Sequence, residues 1–180
     1  EVVWGKMRAN KSCVHFYYGN GKGKTTAAVG LMVRAVGQGM KVLFLQYFKK
    51  RMTGELIALQ YLPGITCYQF GTGHFILEGK PSEEDYKEFS IGWEMAKKAL
   101  FSSEYDLIVM DEFVYAFSFH LLDWDDFLSV MNARCEKTEV VLTGRKAIPQ
   151  LIEYADLVTN MSLVKHPYQQ GIPARKGIEY

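Results

Sequence analysis

Gly19-Asn20-Gly21-Lys22-Gly23-Lys24-Thr25-Thr26 is the stretch of the sequence that decides the fold. An apolar run over residues 13–18 precedes it, and an alanine-rich run over residues 26–32 follows it. A strand, a glycine-rich turn, a lysine beside a hydroxyl group and a helix together form a cradle for a nucleoside triphosphate. Glycines let backbone N–H groups turn toward phosphates, and the N-terminus of the helix adds partial positive charge.

The loop is therefore predicted to bind ATP through all of its residues. These are Gly19, Asn20, Gly21, Lys22, Gly23, Lys24, Thr25 and Thr26. Lys24 is predicted to reach phosphate oxygens and to act in catalysis, and Thr25 to ligate Mg²⁺. The common spacing places a glycine where this chain has Tyr18, so the loop is one residue short. This difference suggests a cradle that holds the phosphates in another way than an ordinary ATPase does.

Composition places the chain among globular proteins with one core. It has 180 residues, of which 48% are hydrophobic and 23% charged, with a net charge of +1. That charge gives no electrostatic reason to expect a nucleic-acid partner, and no apolar run is long enough to span a membrane. Three scattered cysteines are typical of reduced thiols, which favours a cytoplasmic location. We expect one nucleotide-binding domain over 1–180, with residues 1–10 as a flexible or non-native extension and 165–180 as an extended tail.

Strand and helix patterns alternate along the chain. Further short apolar runs predict strands at 42–46, 65–70, 107–110, 140–142 and 157–161. Ser82 and the three acidic residues after it predict the start of a helix. The buried face of that helix is predicted from spacings of three and four residues to contain Tyr86, Phe89, Trp93, Ala96 and Leu100. The pattern predicts an α/β fold with a doubly wound, mainly parallel sheet of five to six strands, helices on both faces and a RecA-like P-loop arrangement.

Polar residues at the carboxyl ends of these strands are candidates for the ligand site. Asp111 and Glu112 end the fourth strand and look like a Walker B element, with both predicted as Mg²⁺ ligands and Glu112 also as a catalytic residue. Gln46 and Lys49 follow the second strand and are predicted to face ATP, as is Arg145 after the fifth. The acid pair is also compatible with a helix cap or a solvated strand end, and Arg145 with a surface ion pair.

An aromatic run over residues 113–119 follows the acid pair. It is compatible with a core segment. It is also compatible with the wall of a pocket for a large, partly apolar second substrate, because such pockets are lined mainly by apolar and aromatic groups.

The motifs taken together resemble those of the P-loop-type ATP:cob(I)alamin (corrinoid) adenosyltransferases. The matching stretches are the loop at 19–26, Gln46-Tyr47-Phe48-Lys49, Phe70-Gly71-Thr72-Gly73, residues 81–85, residues 105–112, Leu142-Thr143-Gly144-Arg145, residues 154–159, Lys165-His166-Pro167-Tyr168 and Gly177-Ile178-Glu179-Tyr180. They cover nearly the whole chain from about residue 11, and the short loop itself belongs to the family pattern.

The resemblance implies a reaction. The Co(I) of a reduced corrinoid such as cob(I)alamin attacks the 5′-carbon of ATP, which forms a cobalt–carbon bond and releases triphosphate, with Mg²⁺ as cofactor. ATP is held in a reversed sense relative to other P-loop proteins. The family also implies a homodimer and an electron-donating reductase as partners.

Two departures from the family pattern concern the corrinoid. Members often carry an aromatic pair after Gly-Thr-Gly that helps to displace the lower axial ligand of the corrinoid; here the stretch is His74-Phe75-Ile76-Leu77. Phe75, Ile76 and Phe117 are the predicted corrinoid contacts, although the usual tryptophan position holds Ile76. Val114 stands where many members have asparagine. Two alternatives stay open: a P-loop kinase or ATPase acting at the γ-phosphate, and a non-catalytic, ATP-dependent corrinoid-binding protein.

Overall fold

Six parallel strands form the centre of the protein. The computed structural model describes residues 12–74, 76 and 80–180. The strands are β1 (Val14–Tyr18), β2 (Val42–Tyr47), β3 (Ile65–Phe70), β4 (Leu107–Asp111), β5 (Glu139–Gly144) and β6 (Leu157–Asn160). They lie in the order β3-β2-β4-β5-β1-β6, and every neighbouring pair is parallel. The prediction of a mainly parallel sheet of five to six strands is therefore confirmed, and each strand lies within two residues of its expected bounds.

Helices cover both faces of the sheet. They are α1 (Lys24–Gly37), α2 (Gly54–Leu59), α3 (Glu83–Phe101), α4 (Tyr115–Ser118), α5 (Trp124–Ala133) and α6 (Pro149–Tyr154). The buried hydrophobic residues of α1 and α2 belong to one cluster, and those of α3 to α6 belong to another. Connections that run toward the β3 edge use the first face, and connections toward the β6 edge use the second. All five crossovers thus share one hand, as expected of right-handed crossovers in a doubly wound sheet.

Alternation along the strands divides the core into these two clusters. In β2, Val42 and Phe44 pack toward α1 and α2, whereas Leu43 and Leu45 pack toward α3. All six residues of β2 are buried. A strand buried on both faces needs an unbroken apolar run, which is why the sequence showed this strand so clearly.

Helix α3 begins as its sequence predicts. The Ser82 hydroxyl accepts a hydrogen bond from the Asp85 backbone N–H, and the Asp85 carboxylate accepts one from the Ser82 N–H, which together form a capping box. The predicted buried face is correct except for Tyr86, whose side chain is 57% exposed. Asp85 is the buried residue in this first turn, because it also accepts a hydrogen bond from the Thr72 hydroxyl.

The tail differs from the prediction of an extended segment. Residues Pro167–Gln170 form a short 3-10 helix, and residues 175–180 turn back toward the glycine-rich loop. Residues 1–10 lie outside the described part of the chain, and the single-domain organisation stays a prediction. No helix among the described residues is long and apolar enough to cross a membrane.

Gly92 lets α3 lie directly on the sheet. A Cβ at this position would lie 2.6 Å from the Phe70 ring and 2.8 Å from the Tyr47 ring, and the Tyr47 hydroxyl donates a 3.0 Å hydrogen bond to the Gly92 carbonyl. Both rings are buried, so neither has room to move. We expect Gly92→Ala to lower the free energy of unfolding by about 1–3 kcal/mol, measured by urea unfolding.

Gly30→Ala is the matched control for this prediction. Gly30 lies on the exposed face of α1, and nothing stands within 4 Å of a Cβ placed there. The same substitution should therefore stabilise the protein by about 0.5–1 kcal/mol through helix propensity. Equal effects of the two variants would contradict the close approach of α3 to β2 and β3.

Candidate active site

The glycine-rich loop connects β1 to α1 and is wedged against the segment that follows β6. The Gly19 N–H donates to the Arg145 carbonyl at 3.2 Å, and the Gly21 N–H donates to the Met161 carbonyl at 2.7 Å. A Cβ at Gly21 would lie 2.6 Å from that same carbonyl oxygen, and Gly19 has a φ of 121°. These glycines are therefore required for backbone packing as well as for the shape of the cradle.

Lys24 is the first residue of α1 and is nearly buried, with 8% of it exposed. Its ammonium group donates a 2.7 Å hydrogen bond to the Gly21 carbonyl. Burial lowers the pKa of Lys24, and the positive charge of Arg145 adds to this, while Glu112 and Asp111 oppose it. No side chain caps the N-terminus of α1, which begins after Gly23. A partly desolvated cation at an uncapped helix N-terminus is suited to binding an anion.

Asp111 is fully buried at the end of β4 and organises the site. Its Oδ1 accepts hydrogen bonds from the hydroxyls of Thr25 at 2.8 Å and Thr143 at 2.7 Å. Its Oδ2 accepts from the Gln46 amide at 2.9 Å and from the Lys49 ammonium at 3.3 Å. One carboxylate thus joins the ends of β2, β4 and β5 to the start of α1.

Glu112 adopts a backbone conformation that is rare for a residue with a side chain. Its φ is 59°, and its N–H donates a 2.9 Å hydrogen bond to the Thr143 hydroxyl. Burial raises the pKa of Glu112, and the negative charge of Asp111 raises it further. Strain of this kind persists where the surrounding structure enforces it, often at a functional site.

Oxygen donors at this position fit a magnesium ion. Glu112 Oε2 is buried and has no hydrogen-bond partner among the described residues. The carboxylate of the preceding residue, Asp111, accepts the hydrogen bond from the Thr25 hydroxyl. Mg²⁺ prefers such oxygen ligands and is commonly held by one or two carboxylates together with substrate phosphates. Residues 12–74, 76 and 80–180 contain no group of three or more acidic, histidine or cysteine side chains that would hold a metal without substrate.

Lys49 is the cation that faces both carboxylates. Its ammonium lies 3.3 Å from Asp111 Oδ2 and 3.6 Å from Glu112 Oε1. Burial acts to lower the pKa of Lys49, but the two carboxylates outweigh it and the pKa is raised. Lys49 therefore stays protonated and neutralises part of the negative charge at the end of β4.

A cleft of about 630 Å³ opens above these groups. Its lining includes most of the residues that the sequence analysis selected, namely Asn20, Gly21, Lys22, Gly23, Lys24, Thr25, Thr26, Lys49, Glu112 and Arg145. Gly19, Gln46 and Asp111 lie behind this lining; Gln46 is fully buried and contacts Asp111. The volume lies in the range of ligand pockets, which is about 300–1,000 Å³.

Several lining residues were not selected from the sequence. They are Val29, Arg51, Thr53, Gly54, Glu55, His166 and the tail residues Gly177, Ile178, Glu179 and Tyr180. The sequence of the tail contains no phosphate-binding or catalytic motif, so it did not predict that the tail lies against the glycine-rich loop. Its only signal was the resemblance of residues 177–180 to the end of the family pattern.

Ile76 and Phe117, two of the three predicted corrinoid contacts, do not line this cleft. Phe117 packs on Phe113, Trp124 and Phe127, with ring centroids 5.3–6.0 Å apart. Ile76 is half-buried and is not among the lining residues, and Phe75 lies outside the described residues. The aromatic run after Glu112 thus contributes largely to the core, as one of the two interpretations expected.

Comparison with known proteins decides the family. The family model for the ATP:corrinoid adenosyltransferases BtuR, CobO and CobP matches residues 10–180. The chain belongs to this family. The corrinoid adenosyltransferase of Pseudomonas aeruginosa is 37% identical over 176 residues, which are 97% of this chain and 87% of that protein. That of Escherichia coli K12 is 34% identical over 164 residues, or 91% of this chain and 83% of that protein. The protein CobA of Salmonella typhimurium is 34% identical over 175 residues, or 97% and 89% of the two chains.

Glu112 is expected to lower the stability of this family member at neutral pH. Its pKa is raised above the ordinary value of 4.5, so the folded state binds this proton more tightly than the unfolded state does. The free energy of unfolding then falls as the pH rises from the pKa of Glu112 in the unfolded state to its higher pKa in the folded state. We expect Glu112→Gln to be more stable than the wild type near pH 7, with the difference shrinking as pH falls toward about 4.

Urea unfolding in metal-free buffer at a series of pH values measures this effect. Glu153→Gln is the matched control, because Glu153 is exposed on α6 and does not line the cleft. A Glu112→Gln variant that is less stable than the wild type at pH 7 would show that the Glu112 charge is net stabilising.

Proposed function

We propose that this protein transfers the 5′-deoxyadenosyl group of ATP to the Co(I) of a reduced corrinoid, giving adenosylcobalamin or a related adenosylcorrinoid and triphosphate. The observation that carries the proposal is the family match, because the loop, helix and acid pair alone are shared with nucleotide-binding proteins of other activities. The geometry adds support, since a cleft of about 630 Å³ is lined by Lys24, Lys49 and Arg145, three cations that would favour an anionic ligand.

The proposed step exchanges one bond for another. The electron pair of Co(I) attacks C5′ of ATP, the cobalt–carbon bond forms, and the C5′–O bond breaks with its electron pair leaving on triphosphate. Cobalt is formally oxidised from Co(I) to Co(III), and the adenosyl carbon is reduced. Because Co(I) is a strong nucleophile, no general base is needed. The protein has to align cobalt with carbon and to stabilise the departing charge.

Lys24 and the start of α1 would stabilise the leaving triphosphate. The Lys24 ammonium is already desolvated, so it loses little hydration when it binds phosphate oxygens. Arg145 is exposed at the rim of the same cleft and would contact the outer phosphate oxygens. Gln46 and Lys49 hold the Asp111 carboxylate in place through hydrogen bonds, and Lys49 also lines the cleft.

Mg²⁺ belongs to the proposal as the cofactor. Thr25, Asp111 and Glu112 would hold it, and when bound it would neutralise charge on the phosphates. The unpartnered Glu112 oxygen supports this assignment.

The remaining assignments rest on the family resemblance. We propose Phe75, Ile76 and Phe117 as corrinoid contacts, a reductase that supplies the electrons for Co(I), and a homodimer as the working form. A cytoplasmic location agrees with an ATP-dependent reaction of a strongly reducing cobalt ion.

Product analysis tests the function. The protein is incubated with ATP, Mg²⁺ and chemically reduced cobalamin, and the products are separated by ion-exchange chromatography and followed by absorption spectroscopy. We expect light-sensitive adenosylcobalamin and triphosphate in equal amounts. ADP and phosphate would indicate chemistry at the γ-phosphate, and binding of both substrates without turnover would indicate a non-catalytic corrinoid-binding protein.

A further inference from the structure

Residues 175–180, the C-terminal strap, are fastened to the glycine-rich loop by Lys22. The Lys22 ammonium donates hydrogen bonds to the Ile178 carbonyl at 2.9 Å and to the Glu179 carboxylate at 3.1 Å. Lys22 stands between the glycines of the loop, where the sequence predicted a phosphate ligand. Its side chain instead joins two segments that are 156 residues apart in sequence.

The strap has an internal structure that keeps Glu179 in position. The Glu179 carboxylate accepts hydrogen bonds from the Arg175 N–H at 2.7 Å and from the Arg175 guanidinium at 3.1 and 3.3 Å. These bonds, with a contribution from Lys22, lower the pKa of Glu179 to about 2. The Gly177 N–H donates to the Tyr180 carbonyl at 2.7 Å. Glu179 is therefore a charged and preoriented partner for Lys22.

A second contact holds the end of the strap on the far side of the cleft. The Arg51 guanidinium lies 3.8 Å from the centre of the Tyr180 ring, which is the geometry of a cation–π contact. The Tyr180 backbone also approaches Gly54, at the start of α2, since a Cβ there would lie 3.9 Å from it. The strap thus spans from the glycine-rich loop to the segment after β2.

The strap encloses the cleft without filling it. Gly177, Ile178, Glu179 and Tyr180 all line the cleft, and about 630 Å³ remains with the strap in place. That space suits a nucleotide-sized ligand. Lys24, not Lys22, supplies the buried ammonium inside the cleft, so fastening the strap uses no charge that the phosphates require.

We propose that Lys22 and Glu179 are positioning residues that fasten the C-terminal strap over bound ATP and so slow the release of the nucleotide. The inference rests on the proposed use of ATP in this cleft. Lys22 then acts on ATP through the strap and not through direct contact with phosphate. Closing the strap restricts the escape of ATP and the access of water to it.

Binding of ATP and Mg²⁺ without any corrinoid tests this role, so the outcome does not depend on adenosyl transfer. We expect Lys22→Met to raise the Kd for ATP about 3- to 10-fold through faster dissociation, and Lys22→Arg to restore most of the affinity. In the wild type, ATP is expected to slow amide hydrogen exchange at residues 177–180. In Lys22→Met, those amides should exchange faster, and ATP should protect them less.

A double-mutant comparison separates fastening from direct phosphate contact. In a Glu179→Gln background, the strap is already loosened, so Lys22→Met should change the Kd less than about 2-fold. Lys176→Met is the matched control, because it removes an exposed ammonium from the same strap. The Lys176 side chain makes no hydrogen bond among the described residues, so this substitution should leave the Kd unchanged.

Two results would overturn the proposal. One is an equal loss of affinity on Lys22→Met in both backgrounds, which would show that Lys22 does not act on ATP through Glu179. The other is hydrogen exchange at 177–180 that ATP does not alter. Failure of ATP to bind the wild type at all would instead contradict the proposed function. Adenosyl transfer by a protein in which neither substitutions at Lys22 nor hydrogen exchange at 177–180 respond as described would contradict only this inference.

Discussion

Replacing Lys24 by alanine is expected to lower kcat/KM for adenosyl transfer by about 10²-fold or more while the protein stays folded. The Lys24 ammonium is desolvated beside the Gly21 carbonyl at the start of α1, where it would meet charge that develops on the leaving triphosphate. A preorganised cation of this kind is worth far more in a water-excluded site than in water. Steady-state rates at saturating corrinoid measure the effect.

Stability is the second measurement on the Lys24→Ala variant. Burial of the charged group is unfavourable, as its lowered pKa shows, so its removal should leave the free energy of unfolding unchanged or raise it. Lys98→Ala is the matched control, because Lys98 is exposed in the last turn of α3 and does not line the cleft. Normal turnover by Lys24→Ala would mean that the triphosphate does not lie at the N-terminus of α1.

Asp111→Asn is expected to abolish activity and also to lower the free energy of unfolding by about 3 kcal/mol. The Asp111 carboxylate accepts from Thr25, Thr143, Gln46 and Lys49. An asparagine of the same shape presents an NH₂ group to at least one of these donors and removes the negative charge that faces Lys49. A donor to the oxygen that this NH₂ group replaces then loses its acceptor, and Lys49 loses the charge of one of its two carboxylate partners.

Urea unfolding and product formation on the same preparation measure both consequences of Asp111→Asn. Asp126→Asn makes the same chemical change at an exposed position in the first turn of α5, where the loss should be at most about 1 kcal/mol through the helix dipole. If the two variants were equally stable, the four-donor arrangement around Asp111 would not be a source of stability.

The fold was predictable because its determinants are local. An unbroken apolar run such as 107–110 fits a strand buried on both faces, and a serine followed by three acids fits a helix start. The prediction for Tyr86 was wrong because Asp85, four residues before Phe89, takes the buried position in the first turn, where it accepts a hydrogen bond from Thr72. Short helices such as α6 were missed because six residues are too few for a periodic pattern.

The sequence predicted which residues at the strand ends lie in the candidate site, but it did not predict the side-chain contacts between them. Parallel strands bring Lys49, Glu112 and Arg145 to one edge of the sheet, which the order of motifs implies. That Gln46 lies behind Asp111, or that Lys22 reaches the strap, depends on contacts between residues 65 and 156 positions apart in sequence. No periodicity or spacing in the sequence carries such information, so these roles emerge only from the structure.

The position of bond cleavage in ATP tests the central claim most directly. ATP is prepared with ¹⁸O in the oxygen that bridges C5′ and the α-phosphorus, and is incubated with the protein, Mg²⁺ and reduced cobalamin. Mass spectrometry then locates the label. Attack of cobalt on C5′ breaks the C5′–O bond, so all of the label should appear in triphosphate and none in the adenosyl group. Label retained on an adenosine nucleotide, together with release of unlabelled phosphate, would place the reaction at phosphorus and contradict the account.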